Sequence, residues 1–247
     1  MEHHEMTPDQ PPSPPQPQPD EAAARRARNF ITAAILVSVS LLGGIIVLIA
    51  YKKLTDVQAK SNRPPLLFRL EDDLEAVERS GETVHLRELR GKVLLVGHIY
   101  TDCPRGCAGL AEIMKGFQSE YGDDPNLHLV NFSVDPEGDP PEQLRAFTER
   151  QGITGDNWWF LTGEAEPIHK YLTGQFHFAP VREIPPDQRL SDADLWEHDL
   201  KLALVDHLGH IRGYYDVLGA STGDLFMEKL HRDLKYVLKE AREADRP

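Results

Sequence analysis

The chain has 247 residues, 40% of them hydrophobic, and this length allows one or two domains. Its formal net charge of −13 at pH 7 argues against nucleic acid as a partner, because nucleic-acid-binding proteins present a basic face. Two cysteines in so long a chain cannot form a disulfide scaffold, so the pair is either incidental or functional.

The N-terminal quarter divides into a tail, an apolar span and a stalk. Residues 1–29 are polar and rich in proline, which predicts disorder. Residues 30–51, from Phe30 to Tyr51, contain no charged side chain and as one helix would extend about 33 Å, enough to cross a hydrocarbon core of about 30 Å. This pattern predicts a transmembrane helix. A cleaved signal peptide is the alternative, but its apolar region is shorter, about 7 to 15 residues. Residues 52–62 are polar and predict a stalk, and residues 63–247 form the predicted soluble domain.

The soluble domain alternates apolar strands with amphipathic helices. Strands are predicted at residues 83–86, 93–99, 127–134, 158–161, 201–206 and 210–215. Helices are predicted at residues 104–121, from 140 onward, at 164–171 and at 223–244, with a loop at 173–196. This order predicts an α/β fold of the thioredoxin-like type, a mixed sheet with helices on both faces.

Both cysteines lie in the turn that follows the apolar strand 93–99. Catalytic and binding groups in α/β sheets gather at the carboxyl ends of strands. Pro104 predicts a helix start, with Cys103 as its cap and Cys107 one turn further in. Two residues so placed have Cα atoms about 6 Å apart, within the range of a disulfide. The two sulfurs can therefore form a disulfide or bind one metal ion together.

Four segments carry a family resemblance. They are ETVHLRELRGKVLLV at 82–96, the Cys-x-x-x-Cys at 103–107, FSVDPEGDPPEQLRAF at 132–147 and HDLKLALVDHLGHIRGYYD at 198–216. Together they resemble the SCO/SenC family, membrane-anchored thioredoxin-like copper proteins linked to cytochrome c oxidase assembly. The chain departs from the family pattern at Ala108, where proline is common, and at His98, where an aromatic or apolar residue is usual.

The resemblance implies a copper site and a location. It assigns one copper ion, Cu(I) or Cu(II), to Cys103, Cys107 and His198, and it matches Asp135 to the family's aspartate after the second strand. It implies delivery of copper to the CuA-bearing subunit of cytochrome c oxidase, with other copper carriers or thiol reductants as further partners. The family's usual anchor implies an N-terminus in the cytoplasm and a domain on the outer face. The charges alone leave orientation open, because basic residues flank both ends of the span.

The chemistry of the three residues is consistent with copper. Thiolates select Cu(I), and imidazole also accommodates Cu(II). Zinc is the main competitor, but a structural zinc site normally has four protein ligands, and the sequence offers three. A purely structural disulfide is a weaker explanation, since closing a five-residue loop contributes only about 2 kcal/mol.

Other residues and functions stay open at this point. His98 is either a residue that supports the metal ligands or acts as an auxiliary ligand, or a hydrogen-bonded core histidine, and His177 is a lesser candidate in the loop before His198. Asp135 either supports the site or precedes the next helix. The alternative to a copper chaperone is a thiol-disulfide oxidoreductase that reduces the copper acceptor's cysteines, and enzymatic activity is therefore undecided. A redox or copper sensor and a thioredoxin-like peroxidase are further alternatives.

Overall fold

The first described segment of the protein, residues 21–61, is a single long helix. A computed structural model describes residues 21–61 and 63–246, and the first of its two units ends at Ser61. The described residues of this unit form helix α1, Glu21–Ser61. Its segment Arg28–Lys53 is apolar, exposed and, by length and composition, able to cross a membrane, and it contains the predicted span 30–51.

Helix α1 is longer than the predicted span. It includes residues 21–29, assigned from sequence to the disordered tail, and residues 52–61, assigned to the stalk. The run EAAARRAR at 21–28 consists of strong helix formers, which explains why these residues are helical. The predicted disorder of residues 1–20 lies outside the described residues.

The second unit contains ten strands and four α-helices among its described residues. The helices are α2 (Cys107–Tyr121), α3 (Pro141–Arg150), α4 (Ala165–Gly174) and α5 (Gly223–Ala244). The strands are β1 (Phe68–Arg69), β2 (Glu75–Glu78), β3 (Thr83–His85), β4 (Val93–Ile99), β5 (Leu127–Ser133), β6 (Trp158–Thr162), β7 (Arg182–Glu183), β8 (Trp196–Glu197), β9 (Leu202–Val205) and β10 (His210–Tyr215).

Eight strands form one mixed sheet in the order β1-β10-β9-β4-β5-β6-β2-β3. The central strands β4, β5 and β6 run parallel, whereas β9 pairs antiparallel with β4. The predicted fold class, an α/β mixed sheet, is confirmed. The predicted loop 173–196 contains strand β7, which pairs antiparallel with β8. The sequence did not indicate these two-residue strands, because they are too short to show an alternation of apolar and polar residues.

Strand β4 is buried along its whole length, and its side chains alternate between two apolar clusters. Val93 and Leu95 belong to the cluster that contains apolar residues of α2, α3 and α5. Leu94 and Val96 belong to the cluster on the other face, which contains apolar residues of α4. The sheet is thus covered by helices on both faces, and the carboxyl end of β4 leads directly into the cysteine turn.

Candidate metal centre

The cysteine turn differs from the predicted start of a helix. Helix α2 begins at Cys107, and its N-cap is Gly106 with φ of +132°. A right-handed helix cannot include a residue with that φ, so the prediction that the helix begins at Pro104 is wrong. Cys107 is therefore the first residue of the helix, and Cys103 lies in the turn before it.

Three predicted ligands meet at this turn. The ligand atoms of Cys103, Cys107 and His198 all lie within 4.8 Å of one another. His198 reaches the turn from the short connection between β8 and β9, and its Nε2 is 3.5 Å from Cys107 Sγ. Cys107 is buried and Cys103 is partly exposed, and both are free thiols. The arrangement can hold one metal ion.

The hydrogen bond of His198 defines which ring nitrogen is available to a metal. Its Nδ1 lies 2.8 Å from the carbonyl oxygen of Asp199. A carbonyl only accepts hydrogen bonds, so Nδ1 carries the proton and the neutral ring has its lone pair on Nε2. Nε2 is the atom that faces Cys107, and it is therefore the atom available to a metal ion.

The two thiols differ in acidity. Donation from the Cys107 thiol lowers the pKa of Cys103 to about 4, although burial opposes this shift, and the backbone N–H groups of Cys107 and Arg105 assist it. The pKa of Cys107 is raised, first because its proton is held by Cys103 and second by burial. Cys103 is consequently the thiolate of the pair. The sequence alone could not predict whether the pKa of Cys103 is raised or lowered, because the main cause is the proximity of the two sulfurs.

Arg105, between the cysteines, anchors a distant loop. Its Nε and Nη2 donate to the two carboxylate oxygens of Asp194 at 2.6 and 2.5 Å, and Asp194 is fully buried. The backbone N–H of Leu190 also donates to Asp194, at 2.8 Å. The donation from Arg105 holds the pKa of Asp194 below its usual range. This bidentate pair ties the segment before β8, and hence the approach to His198, to the cysteine turn.

A carboxylate other than the predicted one supports the turn. Asp135 is partly exposed, and its Oδ1 accepts from the backbone N–H of Gly138 at 3.4 Å; a supporting role for it stays a prediction. Asp139 is buried, and accepts from the hydroxyls of Thr101 at 2.7 Å and Ser133 at 2.6 Å and from the backbone N–H of Thr101 at 3.1 Å. Sequence reasoning missed Asp139, although it stands only four residues after Asp135 in the same loop.

The other histidines singled out from the sequence have different positions. His98 is buried next to His198, with ring centroids 5.7 Å apart, but it is outside the group of three ligand atoms. Burial lowers the pKa of His98 to about 4, and neighbouring His198 adds to this effect, so the ring is neutral near pH 7. His177 is exposed and its ring packs against Phe68 at a tilt of 43°, with centroids 3.9 Å apart. Tyr100, which sequence reasoning did not single out, places its ring edge-on to His198 at 5.7 Å.

A groove lies beside His198. It has a volume of about 420 Å³ and is bounded by residues that include Arg105, Ile184, Trp196, His198 and Leu200. His198 is the candidate ligand that forms part of its wall, so a partner molecule could reach His198 from this side.

The comparisons with known proteins identify the family and the fold. The family model described as SCO1/SenC matches residues 66–234, which is more than half of the chain. The chain belongs to the SCO1/SenC family. The resemblance drawn from the sequence motifs is thus confirmed, and the fold is the thioredoxin-like fold of its structural neighbours.

Individual relatives of this SCO1/SenC protein are moderately similar. The SCO1 protein homolog of Bacillus subtilis (strain 168) is 35% identical over 89 residues, which cover 36% of this chain and 46% of that protein. A SCO1/SenC family lipoprotein from Bacillus anthracis str. Ames is 25% identical with a TM-score of 0.59, covering 69% of this chain and 96% of its own. BsSco, described as a Sco family protein of cytochrome c oxidase assembly with a disulfide switch, is 27% identical with a TM-score of 0.57. The match covers 72% of this chain and 97% of BsSco. The matched segment thus spans about half of the curated relative.

Proposed function

We propose that this protein is a membrane-anchored copper chaperone that binds one copper ion through Cys103, Cys107 and His198. The observation that carries the proposal is the meeting of two free thiols and one imidazole within 4.8 Å. Two soft sulfur ligands favour Cu(I), and the nitrogen ligand also accommodates Cu(II). A closed zinc site normally needs four protein ligands, and the group found among the described residues has three.

The state of each ligand suits uptake of a soft cation. Cys103 is already a thiolate near neutral pH, whereas Cys107 must release its proton when the metal binds. His198 already has its Nε2 lone pair directed toward Cys107. Formation of a disulfide between the cysteines would remove both sulfur ligands, so the redox state of the pair and its copper loading exclude each other.

Delivery and location extend the proposal. The copper acceptor is the CuA site of a cytochrome c oxidase subunit, which would take the ion by replacing these ligands one at a time. Other copper carriers would load the site, and thiol reductants would keep it reduced. Helix α1 anchors the protein, with its N-terminus in the cytoplasm and the second unit on the outer face of the membrane. Family membership and the apolar, exposed segment Arg28–Lys53 support this assignment.

Anaerobic Cu(I) titration of the reduced full-length chain in detergent tests the proposal. We expect one ion per chain, loss of tight binding in Cys103→Ser and in Cys107→Ser, and clearly weaker binding in His198→Ala. His177→Ala is the matched control, because His177 is exposed and lies outside the ligand group, and it should bind like the wild type. Unchanged affinity in His198→Ala would refute the three-ligand site.

Thiol-disulfide exchange is the second candidate function, and the unequal acidity of the two cysteines favours it. The Cys103 thiolate would attack one sulfur of a partner disulfide and form a mixed disulfide, while the other partner sulfur leaves as a thiolate. Cys107 would then attack Cys103, and its proton would pass to the departing partner thiolate. The pair would be oxidised by two electrons and the partner reduced to one thiol and one thiolate, and the thiolate would take its proton from water. Reduction of a disulfide peptide that is equally fast in the wild type and in His198→Ala, combined with unchanged copper affinity in that variant, would favour this function over the first.

A further inference from the structure

His98 is a polar residue in an otherwise apolar place. It lies in β4, on the face that also carries Leu94 and Val96, and is 1% exposed. Its ring packs against Phe178, with centroids 4.2 Å apart, and against His198. Its Nε2 is buried without a hydrogen-bond partner among the described residues. A buried polar ring with one unsatisfied nitrogen costs free energy that a phenylalanine in the same space would avoid.

The other nitrogen of His98 has a specific partner. His98 Nδ1 lies 3.0 Å from the carbonyl oxygen of Asp199, and this is the same oxygen that holds Nδ1 of His198 at 2.8 Å. Because the carbonyl can only accept, both rings donate from Nδ1. One oxygen therefore sets the tautomer of both imidazoles, and it uses one lone pair for each.

Asp199 is fixed by further contacts. Its Oδ2 accepts from the backbone N–H of Ala179 at 2.7 Å, and its Oδ1 forms an ion pair with Lys201 at 3.3 Å. These contacts hold its side chain, whereas the hydrogen bond from His98 holds its carbonyl against the central strand of the sheet. Without His98, the carbonyl would lose that link to β4 and His198 would be its remaining ring donor.

We propose that His98 is a positioning residue for His198, acting through the Asp199 carbonyl so that the Nε2 lone pair of His198 is directed toward the two sulfurs before copper arrives. Partners of this kind orient metal-binding histidines by fixing their tautomer. The consequence for copper rests on the proposed function, whereas the consequence for the His198 tautomer does not.

The test compares four forms of the full-length chain in detergent, reduced, free of metal and labelled with ¹⁵N in its histidines. His98→Phe retains a ring but removes the donor, and His98→Asn retains a donor at the δ position. His128→Phe is the matched control, because His128 is a buried histidine of the neighbouring strand β5 that contacts Trp159 rather than Asp199. Two-bond ¹H–¹⁵N spectra report the tautomer of His198, Cu(I) competition titrations report affinity, and circular dichroism confirms folding.

In the wild type and in His128→Phe we expect His198 to be protonated at Nδ1. In His98→Phe we expect a mixture of tautomers and about tenfold weaker Cu(I) binding, and His98→Asn should restore most of both. An unchanged His198 tautomer in His98→Phe would overturn the proposal, as would a changed tautomer with unchanged copper affinity. If the wild type proves not to bind copper through His198, the proposed function fails, and the tautomer comparison alone decides the positioning role. If His98→Phe does not fold, failure of His98→Asn to keep the Nδ1–H form would overturn the proposal.

Discussion

The acidity of Cys103 predicts an unusual pH profile of alkylation. In the reduced, metal-free protein its pKa is about 4, against an ordinary value of 9.0. At pH 6 the thiolate fraction is therefore about 1,000-fold larger than in an ordinary cysteine. The nucleophilicity of a thiolate falls as its pKa falls, with a Brønsted slope of about 0.45. Over five pKa units this lowers the rate constant of the thiolate about 200-fold. The net rate with iodoacetamide at pH 6 should be about fivefold above that of an equally accessible ordinary thiol.

The slope of the profile is the sharper measurement, because partial burial of Cys103 lowers the rate at every pH alike. An ordinary thiol reacts about 100-fold faster at pH 8 than at pH 6, whereas Cys103 should react at nearly the same rate at both. Mass spectrometry of the alkylated full-length chain measures each cysteine separately. Cys107→Ala removes the largest cause of the shift and should restore a rising profile, and Cys107 alone, in Cys103→Ala, should stay almost unlabelled because it is buried. A tenfold increase in Cys103 labelling per pH unit in the wild type would refute this account of the pair.

Three further predictions concern residues around the turn. Gly106→Ala should lower the free energy of unfolding by about 1 to 3 kcal/mol in urea denaturation, because φ at Gly106 is +132°. Gly116→Ala should raise it by about 0.5 to 1 kcal/mol, because Gly116 lies within α2 and a Cβ there meets open space. Equal effects of the two alanines would contradict the assigned backbone. Asp139→Ala should lower the free energy of unfolding by about 3 kcal/mol, because two hydroxyls and one backbone N–H lose a buried acceptor. Asp135→Ala should lower it much less, because Asp135 accepts only from the backbone N–H of Gly138. The reverse ranking in urea denaturation would show that Asp135 is the supporting carboxylate. Burial, assisted by the charge of Lys92, lowers the pKa of His128 from 6.5 to about 4. Below pH 6.5 the unfolded chain takes up a proton at His128 that the folded protein does not, so the free energy of unfolding falls as the pH decreases from 6.5 toward 4. At pH 5 the loss is about 2 kcal/mol, and His128→Phe should reduce the difference in stability between pH 7 and pH 5 by that amount, whereas an unchanged difference would contradict the assignment.

Part of this protein could be predicted from the sequence because the signals are local. An uncharged run of 22 residues indicates a membrane-spanning helix, and the apolar run of β4 indicates a buried central strand. The motifs around Cys103, Cys107 and His198 indicated the SCO1/SenC family, which the family match confirms. Sequence placed the start of α2 wrongly, because Pro104 favours a helix start whereas the conformation of Gly106 delays it.

Only the tertiary structure decided the contacts between residues far apart in the chain. It showed that the ligand atoms of Cys103, Cys107 and His198 lie within 4.8 Å of one another and that Arg105 is bound to Asp194, 89 residues away. It also showed that Asp139 rather than Asp135 accepts the hydrogen bonds from Thr101 and Ser133. It also placed His98 and His198 on one carbonyl, although 100 positions separate them in the sequence. Residue type and spacing determine which groups can bind copper, but pKa and tautomer depend on burial and on hydrogen-bond partners that folding brings together from distant segments.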